Sequence, residues 1–162
     1  MIHIFTTGGS IDKAYSTAAS DFVVGEPQAA HLLREANVNL TYTLTELLRK
    51  DSLALTDDDR ARIVEAVRHS PARQIIITHG TDTMPQTAAA LASIADKTIV
   101  ITGAMQPAAF KTSDAAFNLG TAIAAVQVMP AGVYIAMSGL ILPAAQARKN
   151  HATNQYERVE PS

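Results

Sequence analysis

The stretch Gln74-Ile75-Ile76-Ile77-Thr78-His79-Gly80-Thr81-Asp82-Thr83-Met84 decides how the chain is read. Three consecutive isoleucines with no polar alternation describe a strand covered on both faces, the pattern of a parallel sheet sandwiched between helices. The strand ends abruptly on small hydroxyls and one carboxylate. In an open α/β sheet, ligands bind in the crevice outside the carboxyl ends of the strands, and a glycine such as Gly80 lets the backbone approach them closely. A second segment, Ile2-His3-Ile4-Phe5-Thr6-Thr7-Gly8-Gly9-Ser10, repeats the arrangement, with a short apolar run passing into Thr, Gly, Gly and a hydroxyl. Two strand ends bearing hydroxyls define one candidate site.

Working outward, strands and helices alternate. Residues 2–5 read as a strand and 26–35 as a short helix, with Pro27 at an early position where its missing N–H costs little. Residues 38–44 alternate as a strand that breaks at Asp51-Ser52. Thr56 with Asp57-Asp58-Asp59 supplies an N-cap and an acidic first turn for a helix through His69, with Ile63, Val64 and Val67 on one face. A helix over 83–95, a strand over 98–102, a helix from the Ser113-Asp114 cap to about Gln127 and a strand over 133–137 complete the pattern. Strands separated by helices of roughly 10–15 residues indicate βαβ units in an α/β, doubly wound, mostly parallel sheet with helices on both faces. Residues 13–25, rich in Ala, Ser and Thr and carrying Tyr15 and Phe22, show weak periodicity of either kind. They are expected to form a mobile loop over the site, with a plain surface hairpin as the alternative.

The chain has 162 residues, no cysteine and a formal net charge of −2. A domain of roughly 150 residues buries about 68–70% of the surface its unfolded chain exposes, so one core suffices without staples. The absence of cysteine excludes a disulfide framework, a thiolate nucleophile and thiolate metal sites. The slight acidity provides no basic footprint for nucleic acid. The first residues lack a basic segment followed by a long apolar one, and residues 120–137 are interrupted by Gln127, Pro130 and Gly132. The expectation is a cytoplasmic protein with no membrane partner, forming one domain over 1–162, with 155–162 a loose tail.

Ser10, Thr81, Asp82 and Lys149 are the side chains best suited to chemistry. A hydroxyl is a weak nucleophile at neutral pH and needs a base beside it. Taken singly, each is commonplace: a serine after Gly-Gly marks a turn, a Thr-Asp pair after a strand caps a helix, and a lysine is usually solvated. Their order and spacing are not. The runs 7–11 (TGGSI), 51–52 (DS), 78–84 (THGTDTM), 102–107 (TGAMQP) and 113–114 (SD), the last followed by 117–119 (FNL), resemble the L-asparaginase family of bacterial type. The resemblance covers residues 1 to about 150 and corresponds to the larger N-terminal domain of that family, so the chain looks like a short, one-domain form.

The resemblance implies an L-asparagine amidohydrolase that releases aspartate and ammonia by two-step acyl transfer, with no cofactor and no metal. Ser10 matches the family's nucleophile, and Thr81, Lys149 and Asp82 match its second triad. Lys149 is placed by its spacing from the preceding strand, since its neighbours Arg148 and Asn150 fit the family poorly. Asp82 would also hold the substrate's ammonium, Ser52 beside Asp51 its carboxylate, and the Ala104 carbonyl the leaving amide. Gly80 and Gly9 would line the substrate, with nearby backbone N–H groups as an oxyanion hole. Tyr15 is the candidate lid tyrosine. Serine in place of threonine at position 10 removes a γ-methyl that limits rotamers, and Leu53 stands where the family usually has a polar residue. His79 matches a position with no assigned base role and is read as structural. The surface that a second domain would otherwise cover suggests a homodimer or homotetramer. Weak glutaminase activity, a degenerate module that binds asparagine or aspartate, and an amidase acting on another carboxamide are the alternatives.

Overall fold

The computed structural model describes residues 1–160; the last two residues of the expected tail, 161–162, lie outside the described part. The central sheet is built from β1 (Ile2–Gly8), β4 (Tyr42–Lys50), β5 (Gln74–Thr78), β6 (Thr98–Thr102), β7 (Gly132–Met137) and β8 (Leu140–Pro143). Their spatial order is β4-β1-β5-β6-β7-β8, parallel throughout except for antiparallel β8 at one edge.

The side-chain period of a strand places alternate residues on opposite faces, and both faces are covered here. Phe5, Ile75, Ile77, Ile99 and Ile101 pack with Ile63 and Val67 of α2 (Asp57–His69) and with Met84, Ala88 and Leu91 of α3 (Met84–Leu91). Ile4, Ile76 and Val100 pack on the other face with Leu32 and Leu33 of α1 (Ala29–Glu35) and with Leu119, Ala122 and Val126 of α4 (Ala115–Val128). The doubly wound α/β fold expected from the alternating elements is the fold observed. Helix α2 starts as its sequence predicts: the Thr56 hydroxyl accepts from the Asp59 amide while the Asp59 carboxylate accepts from the Thr56 amide.

The chain leaves β1 for β4 on one side and returns to β5 on the other, so the winding reverses between β1 and β5. That reversal opens a crevice at their carboxyl ends, and both hydroxyl-bearing segments emerge there.

Several sequence expectations need correcting. Residues 13–25, expected as a mobile loop with a surface hairpin as the alternative, take the alternative, a hairpin of β2 (Lys13–Ser16) and β3 (Asp21–Val24). Tyr15 pairs directly with Phe22 and their rings meet edge to face at 5.6 Å. Most of the hairpin's side chains are exposed on both of its faces, so no apolar alternation marks it. Residues 155–158, expected as tail, form β10 (Gln155–Arg158), which pairs antiparallel with β9 (Ala147–Asn150). The second strand starts later than expected, at Tyr42, and continues through charged Glu46, Arg49 and Lys50, because an edge strand tolerates charge on its open side. Pro27 precedes α1 rather than opening it: Gln28 is the N-cap residue, and its amide donates to the Asp12 carboxylate at 2.9 Å. Among the described residues, no helix is long and apolar enough to cross a membrane.

Candidate functional site

Backbone contact brings the two strand ends together. Gly9 has φ 88° and ψ −176°, a conformation essentially confined to glycine, and a Cβ there would lie 2.4 Å from the Gly80 Cα. Gly80 is wedged from its other side as well, since a Cβ on it would fall 2.5 Å from the Ser52 Cβ and 2.6 Å from its hydroxyl. Ser10, one residue beyond Gly9, is half-buried at this junction. Three segments far apart in sequence therefore meet where only glycines allow it.

Ser52 is 2% exposed, and its Oγ has no hydrogen-bond partner among the described residues. A buried hydroxyl without a partner is costly; this one lies against Gly80 at the junction of the strand ends, and the hydroxyls of Thr6 and Thr78 nearby in the sheet are likewise unpartnered among the described residues. The backbone around it is held firmly: the Thr83 hydroxyl donates to the Ser52 carbonyl at 3.0 Å, and Asp51 accepts from the Leu53 amide at 3.1 Å. Asp51 also pairs with Lys13 at 3.1 Å. Partial burial pushes its carboxyl up, but the Leu53 amide and Lys13 outweigh this and hold it below its ordinary range. The Leu53 side chain is 75% exposed.

The chemically suggestive geometry lies at Thr81. Lys149 Nζ donates to Thr81 Oγ1 at 2.9 Å and to Asp82 Oδ1 at 2.7 Å. Thr81 is buried, and the Lys149 side chain is 10% exposed. A lysine so placed can relay the threonine's proton, and the carboxylate fixes its position. His151 adds a second basic group 3.9 Å from Asp82. No comparable pairing of base and hydroxyl involves Ser10 among the described residues.

His79 is fully buried, with Nδ1 2.7 Å from the Gly80 carbonyl and Nε2 2.8 Å from the Thr87 hydroxyl. A carbonyl can only accept, so Nδ1 carries the proton and Nε2 receives the threonine's. Burial brings its pKa down to about 4, and the ring is a neutral brace, as its sequence context suggests. Asp12, two residues after Ser10, is also buried. Desolvation raises its pKa to about 7, against the opposing effect of the Gln28 amide.

A third loop, after β6, is fixed by Asp114. Of the expected Ser113-Asp114 cap, Asp114 is the N-cap residue of α4 and the Ser113 hydroxyl accepts from the Ala115 amide at 3.0 Å, but the Asp114 side chain reaches back instead to accept from the Met105 amide (3.0 Å) and the Gln106 amide (3.1 Å). Asn118 Nδ2 donates both to Asp114 and to the Gly103 carbonyl, each at 2.9 Å. A Cβ at Gly103 would lie 2.2 Å from the His79 carbonyl, so the segment carrying buried Ala104 lies tight against the end of β5.

Of the residues singled out in the sequence, the structure gathers Gly9, Ser52, Gly80, Thr81, Asp82 and Lys149, with Ser10, Asp51 and Ala104 adjoining through their chain neighbours. Tyr15 is not brought in: its ring is 59% exposed and packs against Phe22. The Gly9 amide is also withdrawn from the candidate oxyanion donors, because it donates to the Lys50 carbonyl at 2.9 Å. Sequence reasoning missed Tyr156, whose hydroxyl donates to the Thr81 carbonyl. The polar–apolar alternation of Gln155-Tyr156-Glu157 was the available signal. Among the described residues, no group of three or more His, Asp or Glu side chains gathers into a metal site.

Comparison with known proteins gives the family. The family model described as "Asparaginase, N-terminal" matches residues 1–157. The L-asparaginase of Thermococcus kodakarensis is 31% identical over 160 residues, covering 92% of this chain and 47% of that protein. The glutaminase-asparaginase of Acinetobacter glutaminasificans is 29% identical over 160 residues, covering 90% and 48%. A glutamyl-tRNA(Gln) amidotransferase chain of Methanococcus vannielii is 32% identical over 151 residues, covering 86% and 34%. Among solved structures, the thermostable L-asparaginase from T. kodakarensis superimposes with a TM-score of 0.85 at 26% identity, covering 99% of this chain and 52% of that one. The chain thus spans about half or less of the length of these relatives.

Proposed function

Because the chain belongs to the asparaginase family, we propose that it hydrolyses the side-chain amide of L-asparagine to aspartate and ammonia through a hydroxyl nucleophile. The observation that carries this reading is Lys149 bridging the Thr81 hydroxyl and the Asp82 carboxylate at the carboxyl end of β5. In the first step a hydroxyl oxygen attacks the amide carbon, its proton passes by way of Lys149 to the departing nitrogen, and ammonia leaves. Water then attacks the acyl-enzyme and restores the hydroxyl. Ser10 matches the family's nucleophile, whereas Thr81 is the hydroxyl with a base already in place. Asp82 orients Lys149 and meets the substrate's ammonium. The unpartnered hydroxyl of Ser52 meets the carboxylate, and the Gly9–Gly80 contact lines the floor of the crevice. Ala104 offers its carbonyl to the leaving amide. The proposal places catalysis within one domain. It extends to a homodimer or homotetramer, supported by the charge-free α4 with Phe117 and Val128 exposed on it.

The kinship with an amidotransferase chain supports a second reading, an amidase acting on a different carboxamide. Asparagine and glutamine differ by one methylene, worth about 1–3 kcal/mol of discrimination, so some glutaminase activity is expected. The test is ammonia release from L-asparagine and L-glutamine by the parent, Ser10→Ala and Lys149→Met. Lys149→Met should abolish release. Loss in Ser10→Ala as well makes Ser10 the nucleophile, and full retention makes it Thr81. A parent that releases no ammonia while asparagine raises its melting temperature would be a binding module, and the hydrolase reading would fail.

A further inference from the structure

Tyr156 is buried, 2% exposed, within the same core cluster as α2 and α3, yet it touches the candidate site at two points. Its hydroxyl donates to the Thr81 carbonyl at 2.5 Å. Across the β9–β10 hairpin, its register partner is Lys149. Its own amide donates at 3.0 Å to the hydroxyl of Ser138, which sits between β7 and β8. One residue therefore ties the Thr81 backbone to the strand pair that presents Lys149, and anchors both to the edge of the main sheet.

Thr81 needs such a tie. The residue before it is Gly80, which has no side chain to limit its backbone, and Thr81 itself lies beyond the end of β5, outside the sheet's ladder. Lys149 reaches Thr81 from a hairpin that is separate from the main sheet. The 2.9 Å contact between Lys149 and Thr81 thus joins two segments that the sheet does not itself register. A buried phenol needs an acceptor, but that requirement alone does not dictate the carbonyl of the residue whose hydroxyl the lysine holds.

We propose that Tyr156 is a positioning residue, whose hydroxyl fixes the Thr81 peptide so that the Thr81 hydroxyl stays in line with Lys149. The inference rests on the amidohydrolase reading. It deepens that reading by adding a residue that touches neither the substrate nor the reacting atoms.

Tyr156→Phe tests it, since the ring and its packing remain and only the hydroxyl is lost. With L-asparagine as substrate, kcat falls roughly tenfold while KM stays within about twofold, because the ground-state contact through Ser52 is untouched and Asp82 keeps its bond to Lys149. In parallel, 15N relaxation shows the order parameter of the Thr81 amide falling from about 0.85 toward 0.6, with those of β5 unchanged. A kcat within twofold of the parent overturns the proposal. So does a loss of activity that tracks a fall in melting temperature, with KM rising alongside, since that marks general destabilisation. If the parent releases no ammonia, the hydrolase reading fails instead, and the order parameters alone decide the positioning: a fall at Thr81 upholds it and unchanged values overturn it.

Discussion

The floor of the crevice is the close approach of backbones at Gly9 and Gly80, so adding one methyl there should be expensive. In Gly9→Ala the new residue must occupy φ 88°, ψ −176°, a region that costs a non-glycine residue about 1–3 kcal/mol. Its Cβ would also sit 2.4 Å from the Gly80 Cα and 2.4 Å from its nitrogen. Both are backbone atoms that cannot swing aside, and overpacking of this kind costs about 1–3 kcal/mol more. The expected loss is roughly 2–6 kcal/mol, which at a urea m-value of about 2 kcal/mol/M lowers the midpoint by about 1–3 M. Gly120→Ala is the internal control. Gly120 lies within α4 with nothing inside 4 Å of where a Cβ would be, so the same methyl should stabilise by about 0.5–1 kcal/mol through helix propensity. Urea unfolding followed by far-UV circular dichroism reads both. If Gly9→Ala unfolds at the parent's midpoint, or Gly120→Ala unfolds earlier than the parent, the contact does not shape the site as described.

Two further outcomes follow from buried groups. The pKa of His79, at about 4 in the fold against an ordinary 6.5, means the unfolded chain binds more protons between those values, so the contribution of His79 is lost as pH falls from about 6.5 toward 4. Asp12, at about 7 against 3.8, has the opposite sign: its contribution is complete below about pH 4 and is lost as pH rises through 7. Each is worth about 3–4 kcal/mol. The two slopes oppose each other between about pH 4.5 and 6.5, with half-buried His3, also held below its ordinary value, adding to that of His79; relative to the parent, Asp12→Asn should gain stability as pH rises and His79→Asn should lose it. Denaturation midpoints across that range test this, and parallel curves for the two variants would refute it. Asp114→Ala removes the acceptor for the Met105 and Gln106 amides, which should destabilise by about 1–3 kcal/mol. It should also raise the KM for asparagine by loosening the segment that carries Ala104, and an unchanged KM would mean that this segment does not contact the substrate.

How much can be read from the sequence depends on burial. Residues 74–78 and 98–102 are legible as strands because helices cover both of their faces and every position answers to the same apolar demand. The hairpin at 13–24 is not, because its exposed faces impose no periodicity; the strand at 155–158 carries a single buried position, Tyr156, too short an alternation to stand out from a polar tail. The site divides along the same line. Ser10, Thr81 and Asp82 can be located because each follows directly on a strand whose pattern is plain, and strand ends at a winding reversal converge by topology.

Lys149 and Tyr156 reach Thr81 across 68 and 75 residues. No local period encodes contacts at that separation. Only spacing within a family resemblance points to Lys149, and Tyr156 has no motif to mark it. What specifies the place of Tyr156 is tertiary: a hydroxyl that must find an acceptor in the core, an amide held by Ser138, and a strand partner that is itself the lysine of the site. The groups that could supply a nucleophile are thus set by the sheet, while the group that could activate one is set by hydrogen bonds of a separate hairpin. Changes in that hairpin should therefore alter turnover before they alter the fold.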